Sequence, residues 1–302
     1  MPASVVEYGP RLCSKKPRAW LGTFLAVATL SGLGGGGEAL AQSADLTSKR
    51  AFRVCADPAN LPLSSEDGSG FENRIAELLA ERLELPLTYT WFPMATGFVR
   101  RTLGENRCDV VIGYGQGDEM VLNTNHYYTS AYVLVSRRNG PLDEVSRLSD
   151  PALSGARIAI VAGSPPATHL ALHGLLKTAR PFPLVVDRRY ENPPRDMLQA
   201  VEAGEVDAAI LWGPIAGPMI KASHPDLRLV PLLEEPGLPR MFYRITMGVR
   251  RGEKDWQRKL NSLIRRNQKE IDAILVDAGV PLLTQMGTEW LYPDQQAGEA
   301  KP

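Results

Sequence analysis

Cysteine, histidine, net charge and long apolar runs are all in short supply in this 302-residue sequence. It carries three cysteines and four histidines, and 34 basic residues are matched by 34 acidic ones. None of His126, His169, His173 and His224 stands in a metal-ligand motif, and no zinc spacing occurs. Balanced charge gives no basic face for nucleic acid or an anionic membrane. P-loop and nucleophile-elbow patterns are absent too. Beyond the first forty residues, no segment is apolar for long enough to cross a bilayer.

What is present begins with export. A basic cluster (Lys15, Lys16, Arg18) precedes an apolar run over residues 20–30, and Ala39-Leu40-Ala41 precedes Gln42. That order predicts a signal peptide over residues 1–41, cleaved after Ala41, and hence a periplasmic protein. The apolar run is too short for a membrane anchor and dissolves into Gly34 to Gly37. Cleavage removes four basic and two acidic side chains, leaving 30 and 32. It also removes Cys13, so two cysteines remain, and a disulfide or two buried thiols both fit.

Hydrophobic residues at 44% and charged residues at 23% are those of a globular chain. The pattern predicts a strand over 52–56, a helix with Phe71, Ile75, Leu78 and Leu79 on one face, a strand over 87–91, a helix over 98–103 and a strand over 109–112. The order returns as a strand over 157–161, a helix over 169–177, a strand over 184–187, a helix over 196–203 and a strand over 207–211. Such alternation predicts an α/β fold with two parallel-type sheets flanked by helices. Residues 127–138 and 243–249 are extended apolar runs, read as two crossings that serve as hinges. Trp256, Leu260, Leu263 and Ile264 then mark an amphipathic region over 256–276 that returns to the first unit. The boundaries read as lobe one over 42–137, lobe two over 138–245, the return over 246–290 and a tail over 291–302.

The segments RVCADPANLP, GFENRIAELLAERLELP, CDVVIG, HYYTSAYVLVSRR and YRITMGVRRGE, in that order, resemble the periplasmic solute-binding proteins of the polar amino acid type (family 3). The resemblance spans nearly the whole mature chain and implies the two-lobed, type II binding-protein fold. In that fold the first and third strands of lobe one are neighbours, which would pair Cys55 with Cys108. TWFPMATGFVRRTL and NHYYTSAYVLVSRR carry a closer resemblance to the quinoprotein-dehydrogenase-associated J proteins of methanol oxidation (the MxaJ/XoxJ type). That resemblance implies a partner, a periplasmic PQQ-dependent methanol dehydrogenase with its cytochrome as a further candidate. It implies a partner and not a reaction, and no cofactor is assigned to this chain.

A buried amino-acid carboxylate needs a fixed cation, best an arginine fork. Transport members of the family hold it about ten residues before the paired tyrosines. Here that stretch contains Asp118 and Glu119, and no Arg or Lys occurs between Arg107 and Arg137. Where those members place an acid for the ammonium group, this chain has Leu211-Trp212-Gly213-Pro214. The expected cleft is therefore aromatic and uncharged, suited to an apolar or aromatic ligand or to a partner's side chain. Its candidate residues are Asp57, Asn60, Tyr114, Gln116, Tyr127, Tyr128, Ser130, Ser164 and Trp212. Core packing is the competing role for each aromatic. Asp118 and Glu119 read as solvated loop acids rather than a metal site. Two further functions are weighed: a transport receptor for a small polar solute, and a dehydratase-like enzyme, which would need a cation and a general acid in the cleft. A guanidinium reaching the cleft from a distant segment would collapse the helper reading into ordinary solute capture.

Overall fold

The computed structural model describes residues 46–233 and 239–293; the expected signal peptide over 1–41 and residues 294–302 of the expected tail lie outside them. The chain opens with β1 (Phe52–Ala56), the short pair β2 (Ala59–Asn60) and β3 (Ser64–Ser65), and α1 (Phe71–Leu83). Then come β4 (Leu87–Trp91), α2 (Phe98–Arg101), β5 (Val110–Gly115) and β6 (Leu122–Asn123). Apolar β1 lies between β4 and β5, both parallel to it. Helix α1 covers the sheet with Phe71, Ile75 and Leu79. It ends at Glu84, in the left-handed conformation, two residues before Pro86.

The β1–β5 pairing sets Val54 beside Val110 and Cys55 beside Val111. Cys108 precedes β5, and its Cα lies 5.5 Å from that of Cys55 in a disulfide. Both sulfurs are buried with Phe98, Leu103 and Val121. Next to it, the Asp109 carboxylate takes ion pairs from Arg53 and Arg250, each at 2.6 Å. Burial pushes this carboxyl up, but the two guanidinium bonds outweigh it and hold it below the usual range.

The first crossing is β7 (Tyr128–Arg137). Lobe two follows with β8 (Ile158–Val161), α3 (Pro165–Leu172), β9 (Arg180–Phe182), α4 (Pro193–Glu202), β10 (Ala208–Trp212), α5 (Gly213–Ser223) and β11 (Leu227–Pro231). β8 runs parallel to β9 and β10. The second crossing is β12 (Phe242–Val249), after which α6 (Lys254–Arg266) and α7 (Gln268–Ala278) pack on the first lobe. β7 and β12 pair antiparallel, with Phe242 opposite Ala131 and Ile245 opposite Tyr128. They join both parallel cores into one ten-stranded sheet. The result is the two-lobed binding-protein fold.

Four elements depart from the periodicity. The strand expected over 184–187 is displaced N-terminally to β9, and Leu184 and Val185 beyond it are exposed. Helix α3 starts at Pro165, where proline's fixed φ suits a first turn, and stops before Gly174, in the left-handed conformation. The region over 256–276 is two helices broken at Asn267. Strand β11, unexpected from the pattern, pairs antiparallel with β7. Among the described residues no helix is long and apolar enough to cross a membrane.

Candidate functional site

The lobes face one another across a cavity of about 540 Å³. Lobe one supplies the loop after β1, including Asn60 and Leu61. Lobe two supplies Ser164 after β8, the carboxyl end of β10 at Trp212, and parts of the irregular run after β9. Strand ends gather ligands because loops, rather than paired backbone, meet the solvent there. Trp212 lies 5.4 Å from Tyr132 of β7 and 5.7 Å from Tyr243 of β12, ring centre to ring centre. This aromatic cluster sits where both crossings meet the cavity, and Tyr132 and Trp212 line it. Burial, followed by the Tyr243 neighbour, pushes the Tyr132 hydroxyl up to about 12, so it stays a neutral donor.

The expectation of an uncharged cleft is corrected by two residues. Asp57 is buried, with Oδ1 accepting the Ala59 N–H at 2.9 Å and Oδ2 the Met94 N–H at 2.8 Å. Arg188, from the irregular run of lobe two, donates to the same Oδ2 at 2.9 Å. A guanidinium thus does reach the cleft from a segment 131 residues away, and it is spent on the opposite lobe's carboxylate. Neighbouring Arg189 is held by Asp187, through bonds of 2.9 and 2.6 Å. That fork keeps the exposed Asp187 carboxyl at about 2. Arg188 lies far from the stretch before the paired tyrosines, where the family pattern places a cation. The available signal was the Arg188-Arg189 pair in a Pro- and Asn-bearing run after a lobe-two strand.

Comparison with known proteins gives a consistent answer. Protein MoxJ of Methylorubrum extorquens is 32% identical over 269 residues, covering 81% of this chain and 89% of the relative. The chain belongs to the MoxJ/MxaJ/XoxJ family. The crystal structure of the periplasmic binding protein XoxJ from Methylobacterium extorquens AM1 is 39% identical, with a TM-score of 0.64, covering 78% of this chain and all of that one. That of MxaJ from Methylophaga aminisulfidivorans is 27% identical, with a TM-score of 0.69, over 77% of this chain and all of that one. No family model matches the sequence. The J-type resemblance read from the sequence is therefore correct, and the chain is a binding-protein-like protein of the methanol-oxidation group.

In this J-family chain the nine expected cleft residues divide. Asn60, Ser164 and Trp212 line the cavity, and Asp57 binds the lining Arg188. Tyr127 and Tyr128 do not; they are buried in the lobe-one core, where the Tyr127 hydroxyl accepts the Gly113 N–H at 3.0 Å. Period-two alternation beside a crossing cannot tell a cleft-facing ring from a core-facing one. Ser130 is also buried, donating to the Pro281 carbonyl at 2.7 Å and so tying the first crossing to the return segment. Tyr114 packs beside the disulfide and donates to Asp118 Oδ2 at 2.7 Å. Gln116 is exposed, its backbone N–H bonded to the Arg244 carbonyl.

Asp118 is thus engaged in holding its own loop, and Glu119 is fully in solvent at the rim of lobe one. Among the described residues no three His, Cys, Asp or Glu side chains cluster to hold a metal ion. One buried acid was not anticipated. Glu72, in the first turn of α1, sits against Gly113, where an added Cβ would collide with its carboxyl. Burial alone pushes that carboxyl up to about 8, so it is largely protonated at neutral pH.

Proposed function

We propose that the chain is a periplasmic accessory protein that binds, or assists the maturation of, a PQQ-dependent methanol dehydrogenase. Membership of the J family supports the partner. The observation that carries a role in assistance rather than solute capture is the Asp57–Arg188 pair, in which the cleft's buried carboxylate already holds the guanidinium. Part of the remaining wall is apolar, with Leu61, Tyr132, Trp212 and Ile215 beside the paired Arg189 and exposed Glu191, a surface for an apolar group or a partner's side chain. Chemistry has little footing. Asp57 is already paired and Glu191 is exposed, so among the described residues no acid lining the cleft is both buried and free.

The second reading, a receptor for a small polar solute, draws support from the same Arg188, since a guanidinium in a cleft is how a carboxylate is held. A carboxylate could take it only by leaving Asp57 buried without a counter-charge. The two readings part in a pull-down. Tagged protein recovered from the periplasm should bring the dehydrogenase with it, and calorimetry against amino acids should show no binding in the micromolar range. Micromolar affinity for an amino acid, with no dehydrogenase recovered, would replace assistance by uptake.

A further inference from the structure

A second opening lies on lobe one. It is a groove of about 580 Å³ formed by α2 and its following turn, the loop after β5 and the turn after β12, and it shares no lining residue with the cleft cavity. Its floor is apolar and fixed, since Val99 and Leu103 are buried beside the Cys55–Cys108 disulfide. Arg250 also lines it but is spent. It donates to the Leu103 and Cys108 carbonyls, to Asp109 at 2.6 Å and to Glu253 at 2.7 Å.

Two other guanidiniums line the groove with their charge uncommitted. Arg100 is exposed and makes no hydrogen bond or ion pair among the described residues. Arg251, 66% exposed, donates to the Glu119 carbonyl, while the Glu119 carboxylate stands 4.0 Å away and 95% exposed. So loose a surface pair does little to neutralise Arg251. The neighbouring Asp118 is held by the Tyr114 hydroxyl and the Met120 N–H, and Glu105 does not line the groove. Met120 completes the lining and is itself exposed.

We infer that this groove docks an acidic segment of a protein partner, whose carboxylates meet Arg100 and Arg251 while an adjoining apolar side chain enters over Val99, Leu103 and Met120. A neutral segment would bury both guanidiniums without a counter-charge, which is costly. A lone inorganic anion would satisfy the arginines and leave the apolar floor in water. A polyanion such as nucleic acid needs many cations, and the mature chain carries more acidic than basic side chains. Carboxylates match the planar fork of arginine, and the unbranched methionine adapts its shape to whatever apolar group arrives. Arginine and methionine are also among the residues that interfaces favour. The site lies apart from the cleft, so it does not depend on which protein the partner is.

The test uses the isotope-labelled mature chain and a capped hexapeptide of two aspartates, two central leucines and two glutamates, followed by backbone amide shifts. Shifts should saturate and fall on residues 99–104, 119, 120, 250 and 251, with none at Trp212 in the cleft. Affinity should weaken steeply with added sodium chloride, as expected of exposed charge pairs. Arg100→Glu combined with Arg251→Glu should weaken it by about tenfold or more, with an unchanged melting temperature because both side chains are exposed. If that double variant does not fold, Arg100→Ala alone should weaken binding several-fold. The same peptide with asparagine and glutamine for its acids should not bind, and one with serine for its leucines should bind several-fold more weakly. Three results would each overturn the inference: no shifts at the groove, equal binding by the double variant, or acetate matching the peptide in shifts and affinity. Recovery of the dehydrogenase from the periplasm is a separate measurement, and its failure would leave the peptide result standing.

Discussion

Glu72 shows how a single residue can couple stability to pH. Its carboxyl titrates at about 8 when folded, against an ordinary value of 4.5. Between those values the unfolded chain has released the proton and the folded chain still holds it. Rising pH therefore favours unfolding across that window, by up to about 1.4 kcal/mol per pH unit from this group, and the effect levels off above pH 8. Glu72→Gln keeps the shape without the titration. It should match the unchanged protein near pH 4, exceed its stability at pH 8, and lose the slope between, as read from urea midpoints. A variant whose pH profile overlays the unchanged one would show that Glu72 is not buried as described. Nothing in the sequence marked this acid, because Glu72 sits at the start of a helix, where acids are commonplace. Its burial follows from Gly113, forty-one positions along the chain, which leaves the space it fills.

At the scale of elements, β1 and β5 show what a strand pairing does for stability. Their parallel register brings Cys55 and Cys108 within bonding reach and closes a loop with a sequence separation of 53. Replacing both cysteines by serine should lower unfolding free energy by about 2 to 4 kcal/mol, and non-reducing mass mapping of the mature unchanged protein should find no alkylatable thiol. Elements buried in the parallel cores were the most legible, since continuous apolar runs such as residues 52–56 admit few other readings. Lobe two was harder around β9. Its apolar residues at 184 and 185 suggested a strand, yet both side chains are exposed. The ladder with β8 ends at Phe182, so nothing beyond it buries those side chains.

For the whole molecule, export and assembly follow different rules. The basic, apolar and small-residue order of the first forty-one positions predicts that protein isolated from the periplasm begins at Gln42, and intact-mass measurement should find that terminus. A start elsewhere would move the cleavage site without touching the fold. The two lobes owe their arrangement to β7 and β12, which pair with each other and with both parallel cores. Both crossings were readable as extended apolar runs between α/β units.

Alternation, turn residues and segment order by themselves determined the α/β class, the two units, the crossings and the family, because each is written over a few neighbouring positions. Which charges meet in the cleft, and which tyrosines turn away from it, only the tertiary structure decided. Asp57 and Arg188 stand 131 residues apart and on opposite lobes, and no local pattern encodes a contact made when two separately folded surfaces close on each other.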